Sequence, residues 1–363
     1  MNELSGKLEL LRNLAARYAL DAILLRRVSS VAWLTCGAAT YVNTARSEGE
    51  ASLLITPEKQ ILFTNNIEAT RLETEERLAL QGWEFQVNPW FESNAALGKT
   101  TTGMKLGTDG LFPNALDLSG EIAHLRANLT PEEGKRFRTL SQLCAQAMDA
   151  AARSVRPGQT EFEIASLLDA ETQERGVQVI VNLIATDKRI FDFRHPLPTA
   201  KKLERYAMLV LCGRQRGLVC SITRLVHFGK LPADIQKKEQ AVARIDATMI
   251  AATRPGCTLG DVFQTAVDAY ARVGYPDEWR LHHQGGLAGY EPREFIAKPG
   301  VTENVSHGQA FAWNPSITGV KSEDTILVGE SENEVLTVIP GWPTVKVEVG
   351  GRFLERPAIL EMD

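Results

Sequence analysis

The sequence predicts a mixed α/β protein of two domains, the second built from two similar halves. Three observations predict it. The chain has 363 residues, about two domains at roughly 100–200 residues each. The block Asn128-Leu129-Thr130-Pro131-Glu132-Glu133 reads as a boundary: a Thr N-cap, Pro at the first helical position and Glu at the third. An Arg-Pro-Gly stop occurs twice, at 156–158 and 254–256, and each is followed by a capped helix and strand-rich sequence.

The elements follow in order. Leu4, Leu8, Leu11 and Leu14 share one stripe of an amphipathic helix. Short apolar runs at 22–25, 31–34, 51–55 and 60–64 read as strands, and Pro57-Glu58-Lys59 makes the last two a hairpin. Residues 66–80 have helical spacing and many Glu. This first domain, residues 1–127, is long enough to bury its own core. In the second, residues 128–363, a long helix is expected from 131 to about 155, stopped by Arg156-Pro157-Gly158. Thr160 and Glu163 form a capping box for a helix ending near Gly176. The pattern then repeats. A helix over 232–253 ends at Arg254-Pro255-Gly256, and Thr258 with Asp261 opens another that ends near Gly274. Strands are expected at 177–184 and 208–225 in the first half, and at 310–317 and 324–328 in the second. With its stops 98 residues apart, the domain reads as an internal duplication, whose site would lie between the halves.

Composition excludes several classes. Hydrophobic residues are 44% and charged residues 23%, so the chain is globular. Its net charge of −5 gives no global electrostatic reason to seek nucleic acid or anionic membrane. No window approaches about 18 apolar residues, and Glu, Lys and Arg interrupt the N-terminal stretch, so neither a membrane span nor a signal peptide is expected. The five cysteines, Cys36, Cys144, Cys212, Cys220 and Cys257, are odd in number and form no CxxC. They read as reduced thiols of a cytoplasmic protein.

Polar signals concentrate in four places: Arg194-His195-Pro196; Ser221-Ile222-Thr223-Arg224; the run from His282-His283-Gln284-Gly285-Gly286 to Arg293-Glu294; and Trp313-Asn314-Pro315 followed by Lys321-Ser322-Glu323-Asp324-Thr325. The glycines of the third lack the G-x-G-x-x-G spacing of a dinucleotide loop. Adjacent His282 and His283 would point to opposite faces of a strand, which makes them poor co-ligands there. Cys212 and Cys220 lie among apolar strand neighbours and read as structural thiols. His124, His227 and His307 carry no assigned role.

These places, in this order, resemble the Xaa-Pro peptidase, methionine aminopeptidase and creatinase superfamily, over about residues 130–340. The resemblance implies a pita-bread catalytic domain after a smaller creatinase/prolidase-like α/β domain. Metallopeptidases of that family hold two metal ions with two Asp, one His and two Glu. Carried over through Thr223-Arg224, the Asp positions are Val210 and Ser221. The metal His of G-H-G-I-G becomes Gly286, the Glu of I-E-P becomes Asn314, and the Glu of R-I-E-D-T remains as Glu323. One carboxylate cannot hold a hydrolytic metal pair.

His195 matches the histidine that contacts substrate in metal-dependent members and acts as general acid and base in creatinase. His282 matches the histidine four residues before the metal His, and the family's later histidine has become Arg293. The resemblance therefore implies a metal-independent hydrolase of a small C–N bonded substrate, with no cofactor. His195 and Glu323 would be catalytic, and Arg293, His282, Asn314, Tyr290 and Ser221 would bind substrate. Arg224 reads as structural. The alternatives are a non-catalytic small-molecule or peptide-binding protein, and an Xaa-Pro metallopeptidase that recruits metal through other residues. Family members are commonly homodimers, so a homodimer is expected.

Overall fold

The computed structural model describes residues 2–92 and 94–363. They divide into two compact units, Met1–Glu133 with Arg216–Leu218, and Gly134–Gln215 with Val219–Asp363.

The first unit opens with helix Glu3–Arg17, whose stripe buries Leu8, Leu11 and Leu14. Its six-stranded sheet runs in the order Glu84–Asn88, Gln60–Asn65, Glu48–Ile55, Ala22–Arg27, Leu106–Thr108, Leu116–Asp117. The expected hairpin is present, with Ile55 opposite Gln60 and Leu53 opposite Leu62. Ala22, Leu24, Leu54, Phe63, Leu97 and Leu106 pack into one core cluster. Two expectations are corrected. The run at 31–34 belongs to helix Val28–Leu34, not a strand. All seven of its residues are buried, so no polar face marked its period. The helical stretch at 66–80 shrinks to Ala69–Thr74 and a 3-10 turn at Leu78–Gln81, because Arg77 takes a left-handed φ of 57°.

In the second unit the two expected helix pairs are present. Pro131–Ser154 is followed by Glu161–Glu174, and Ala233–Ala252 by Leu259–Arg272. Both capping boxes close reciprocally, Thr160 with Glu163 and Thr258 with Asp261. The first half, joined by the C-terminal strand Leu360–Met362, builds a four-stranded sheet ordered Leu360–Met362, Leu218–Phe228, Tyr206–Gln215, Gln178–Thr186. The second builds a five-stranded sheet ordered Phe295–Ile296, Gly285–Ala288, Ala310–Trp313, Asp324–Leu327, Glu334–Val335. The two sheets meet at a bridge between Thr223 and Glu323.

Strand alternation sorts the side chains at that seam. On one side Glu323 meets Thr223, whose hydroxyl donates to Oε2 at 2.6 Å. On the other Asp324 meets Arg224, with Nη2 to Oδ1 at 2.9 Å, and also Arg356, which pairs with Asp246 at 2.8 Å. All four of those charges are buried, so they satisfy one another and tie helix, sheet and C-terminal hairpin together. Arg224 is therefore structural, as the sequence reading has it. The Glu323 side faces the site.

Candidate functional site

Four segments converge on the site, each held by its own anchor. The Arg194-His195 turn is fixed by Arg194, which donates to Glu278 Oε2 at 2.7 Å and to Thr318 Oγ1 at 2.9 Å. The segment before strand Gly285–Ala288 is fixed by Gln284, fully buried, which donates to the His282 carbonyl at 2.5 Å and accepts from the Tyr270 hydroxyl at 2.7 Å. Ser221 and Thr223 lie two apart on strand Leu218–Phe228 and so share a face. Lys321, at the end of strand Val320–Lys321, and Glu323, at the bridge to Thr223, also lie two apart.

The structure brings three histidines together. His195 Nε2 is 3.0 Å from His282 Nε2, and the ring centroids are 4.9 Å apart at 75°. His283 stacks on His282 with centroids 4.5 Å apart, and its centroid is 5.7 Å from that of His195. The strand expectation for this pair is corrected: a 3-10 turn, Glu278–Leu281, ends just before His282, and the strand begins only at Gly285. The backbone between is irregular, so both rings reach one side. His195 is exposed at the mouth of the site and His282 is buried. Burial, then the charge of Lys321, disfavours the protonated form of His282, whose pKa falls to about 2. Burial, then Arg293, brings His283 to about 4. Partial burial of its ring and then Lys321 also lower His195, against the pull of Glu323. All three imidazoles are neutral at pH 7.

Beside them lies a buried charge cluster. Glu323 Oε2 accepts from Thr223 and pairs with Lys321 Nζ at 2.7 Å, while Oε1 pairs with Arg293 Nη2 at 3.1 Å. Burial alone would raise Glu323, but Lys321, Arg293 and Thr223 outweigh it and hold the carboxyl at about 2. Arg293 Nη1 also donates to Ser221 Oγ at 3.1 Å, and Ser221 Oγ lies 3.3 Å from Cys212 Sγ. Burial pushes the Cys212 thiol up to about 11, which makes it an inert packing group rather than a nucleophile. Asn314 is buried, and its Oδ1 has no hydrogen-bond partner among the described residues.

No hydrogen bond joins Glu323 to His195 among the described residues; the partner of His195 is His282. With both oxygens engaged by donors, Glu323 organises Lys321 and Arg293 rather than taking up a proton. Tyr290 is buried beyond the strand, where its amide donates to Glu294 Oε1 at 3.0 Å, and its position gives no support to a substrate contact. Sequence reasoning left Lys321 without a role. The signal was its spacing of two from Glu323 in a strand-rich segment.

The five positions of the family's metal pair do not fit a metal pair here. Val210 has no donor, Ser221 is engaged by Arg293, and Glu323 already carries two protein cations. At Gly286 even a Cβ would lie 2.1 Å from the Phe295 carbonyl oxygen, because strand Phe295–Ile296 runs directly alongside. Gly286→His is therefore expected to destabilise by about 1–3 kcal/mol or more, the cost of overpacking, rather than rebuild a ligand. Thermal unfolding of the variant checks this, and unchanged stability would show that the strand can give way.

The family profile described as metallopeptidase family M24 matches residues 135–330. An uncharacterized peptidase of Staphylococcus saprophyticus is 25% identical over 236 residues, 61% of this chain and 65% of that relative, so the match spans less than two thirds of its length. The prolidase of Pyrococcus horikoshii has a TM-score of 0.80 at 19% identity, covering 92% of this chain and 98% of that one. The Xaa-Pro dipeptidase of Bacillus anthracis has a TM-score of 0.78 at 20% identity, covering 99% and 100%. The expected fold class is borne out by these two structures.

Proposed function

The chain belongs to metallopeptidase family M24, and from that premise we propose a member that hydrolyses a small C–N bonded substrate without the family's metal pair. The observation that carries this reading is the pair of neutral imidazoles, His195 and His282, joined through Nε2 at 3.0 Å. Among the described residues His195 Nδ1 has no hydrogen-bond partner, and His195 is exposed, so this nitrogen can meet water and substrate. Water loses a proton to Nδ1 as its oxygen bonds to the substrate carbon. The C–N bond then breaks, and Nδ1 returns the proton to the leaving nitrogen. Nε2–H of His195 faces His282 Nε2, which stabilises the imidazolium while it lasts. His282 is thus a positioning residue. Asn314 Oδ1 offers an acceptor for a substrate N–H, and Arg293 with Ser221 supplies the polar wall.

A cytoplasmic homodimer belongs to this reading, on five cysteines without a CxxC and on the family resemblance. Among the described residues no helix is long and apolar enough to cross a membrane.

The test is turnover of a panel of small amides, ureas, amidines and Xaa-Pro dipeptides by metal-stripped protein, with metal content measured in parallel. Hydrolysis that persists after chelation supports the reading. A second reading, an Xaa-Pro metallopeptidase, is favoured by the family match over residues 135–330. It predicts hydrolysis of an Xaa-Pro dipeptide that vanishes on chelation. Specific binding of a compound without turnover would instead mark a binding protein.

The pH profile gives a further expected result. The base works when His195 is neutral, and burial with Lys321 lowers its pKa below the usual 6.5. Activity is then full at neutral pH, and the acid limb of kcat/KM has its midpoint below 6.5. A midpoint above 6.5 would contradict His195 as the base in this environment.

A further inference from the structure

We propose that His195, His282 and His283 form a binding site for one divalent transition-metal ion, and that the bound ion blocks the histidine dyad. The inhibitory half rests on the reading above; the binding half rests on the cluster alone.

One ligand nitrogen from each of the three residues lies within 4.8 Å of the other two. Two imidazole nitrogens on one tetrahedral ion, each at ~2.0–2.1 Å, stand about 3.3 Å apart. The His195 and His282 Nε2 atoms are 3.0 Å apart, close to that spacing, so an ion is admitted once the two rings turn off their mutual hydrogen bond and the His283 nitrogen closes in from within 4.8 Å. None of these residues stands at the family's five ligand positions, so this is a different site from the dinuclear centre.

Its chemistry selects the ion. Three neutral nitrogen donors suit Zn²⁺, Co²⁺, Ni²⁺ and Cu²⁺, whereas Mg²⁺ and Ca²⁺ demand oxygen. The surrounding charge sharpens that choice. Lys321 and Arg293 both act on the imidazoles, and Glu323 opposes them. An ion held by charge alone finds no net attraction there, so binding depends on nitrogen coordination. The exposed edge of His195 gives access from solvent and leaves room for a water as fourth ligand. Buried His282 Nδ1 has no partner among the described residues, so the bond to His195 is what holds the ring nitrogen Nε2 towards the cluster.

The consequence follows from the dyad. An ion on His195 adds positive charge where a proton must arrive, and it ties down the imidazole that has to accept it.

The experiment uses full-length, metal-stripped protein titrated with Co²⁺, then with Zn²⁺, with Mg²⁺ as control. Equilibrium dialysis gives the stoichiometry, and the visible Co²⁺ spectrum reports the ligand field. One Co²⁺ per chain is expected, with a low-symmetry spectrum that Zn²⁺ bleaches and Mg²⁺ does not. His283→Ala and His195→Ala are each expected to weaken binding at least tenfold. Should His283→Ala fail to fold, His283→Asn keeps the test open, and circular dichroism checks each variant. No binding, or binding that both variants leave unchanged, overturns the site. Two ions per chain, unaffected by the variants, would place metal at other residues and overturn it as well. Zn²⁺ bound at this site without loss of turnover overturns the inhibitory half and counts against the dyad mechanism, with the site itself intact. Absent binding with turnover still dependent on His195 removes the site and leaves the mechanism standing.

Discussion

His195→Ala is expected to lower kcat/KM for the substrate by about 10²- to 10⁴-fold, the usual worth of a positioned general acid–base. The same change should cost only about 1 kcal/mol of stability. His195 is exposed, and what the fold loses is one hydrogen bond to His282. That split between activity and stability is the informative part. A histidine that merely packed against His282 and His283 would lose both together or neither. His282→Ala provides the second arm. If His282 acts through His195, kcat falls while KM holds, because no substrate contact is removed. A wild-type rate in His195→Ala would sink the mechanism outright. It would also remove the reason for an exposed imidazole to be held by the Arg194–Glu278 pair and by a buried neighbour.

How much of this was legible in the sequence depends on the range of the interaction. The Thr160–Glu163 and Thr258–Asp261 boxes and both Arg-Pro-Gly stops act within a few residues, and the chain spells them out in order. The loss of ligands at Val210 and Gly286 was equally plain, since neither residue has a donor. What the chain does not spell out is partner choice across the fold. Glu323 and Arg293 lie 30 residues apart, and only the pairing of sheet strands brings the guanidinium to the carboxylate. Lys321 sits beside them by strand alternation, yet its strand is just Val320–Lys321, too short to show a period. His195 and His282 are 87 residues apart, and nothing local says that their Nε2 atoms meet. The helix Val28–Leu34 failed for a different reason: buried on every side, it shows no amphipathic pattern.

The largest stability effect is expected at Glu323. Glu323→Gln leaves Lys321 and Arg293 buried side by side with no counter-charge, and breaking a buried pair from one side costs about 3–5 kcal/mol. For a unit of this size that is on the order of 10 °C in Tm. The pH dependence carries the same information with a defined sign. Glu323 is held at about 2 in the fold against an ordinary 4.5, so its contribution is complete above 4.5 and is lost as pH falls from there towards 2. Buried His282 and His283 also withdraw stability as pH drops below 6.5, since they resist protonation that the unfolded chain accepts. The wild-type curve thus contains both. The difference between wild type and Glu323→Gln isolates the carboxylate and should shrink towards zero only below about pH 4.5. Adding Lys321→Met to Glu323→Gln should recover part of the loss, because one unpaired cation goes and its stem volume stays. If Glu323→Gln melts with the wild type at pH 7, the carboxylate is not what holds the two cations. Glu323 would then be free to serve as the acid or base that its engaged oxygens argue against.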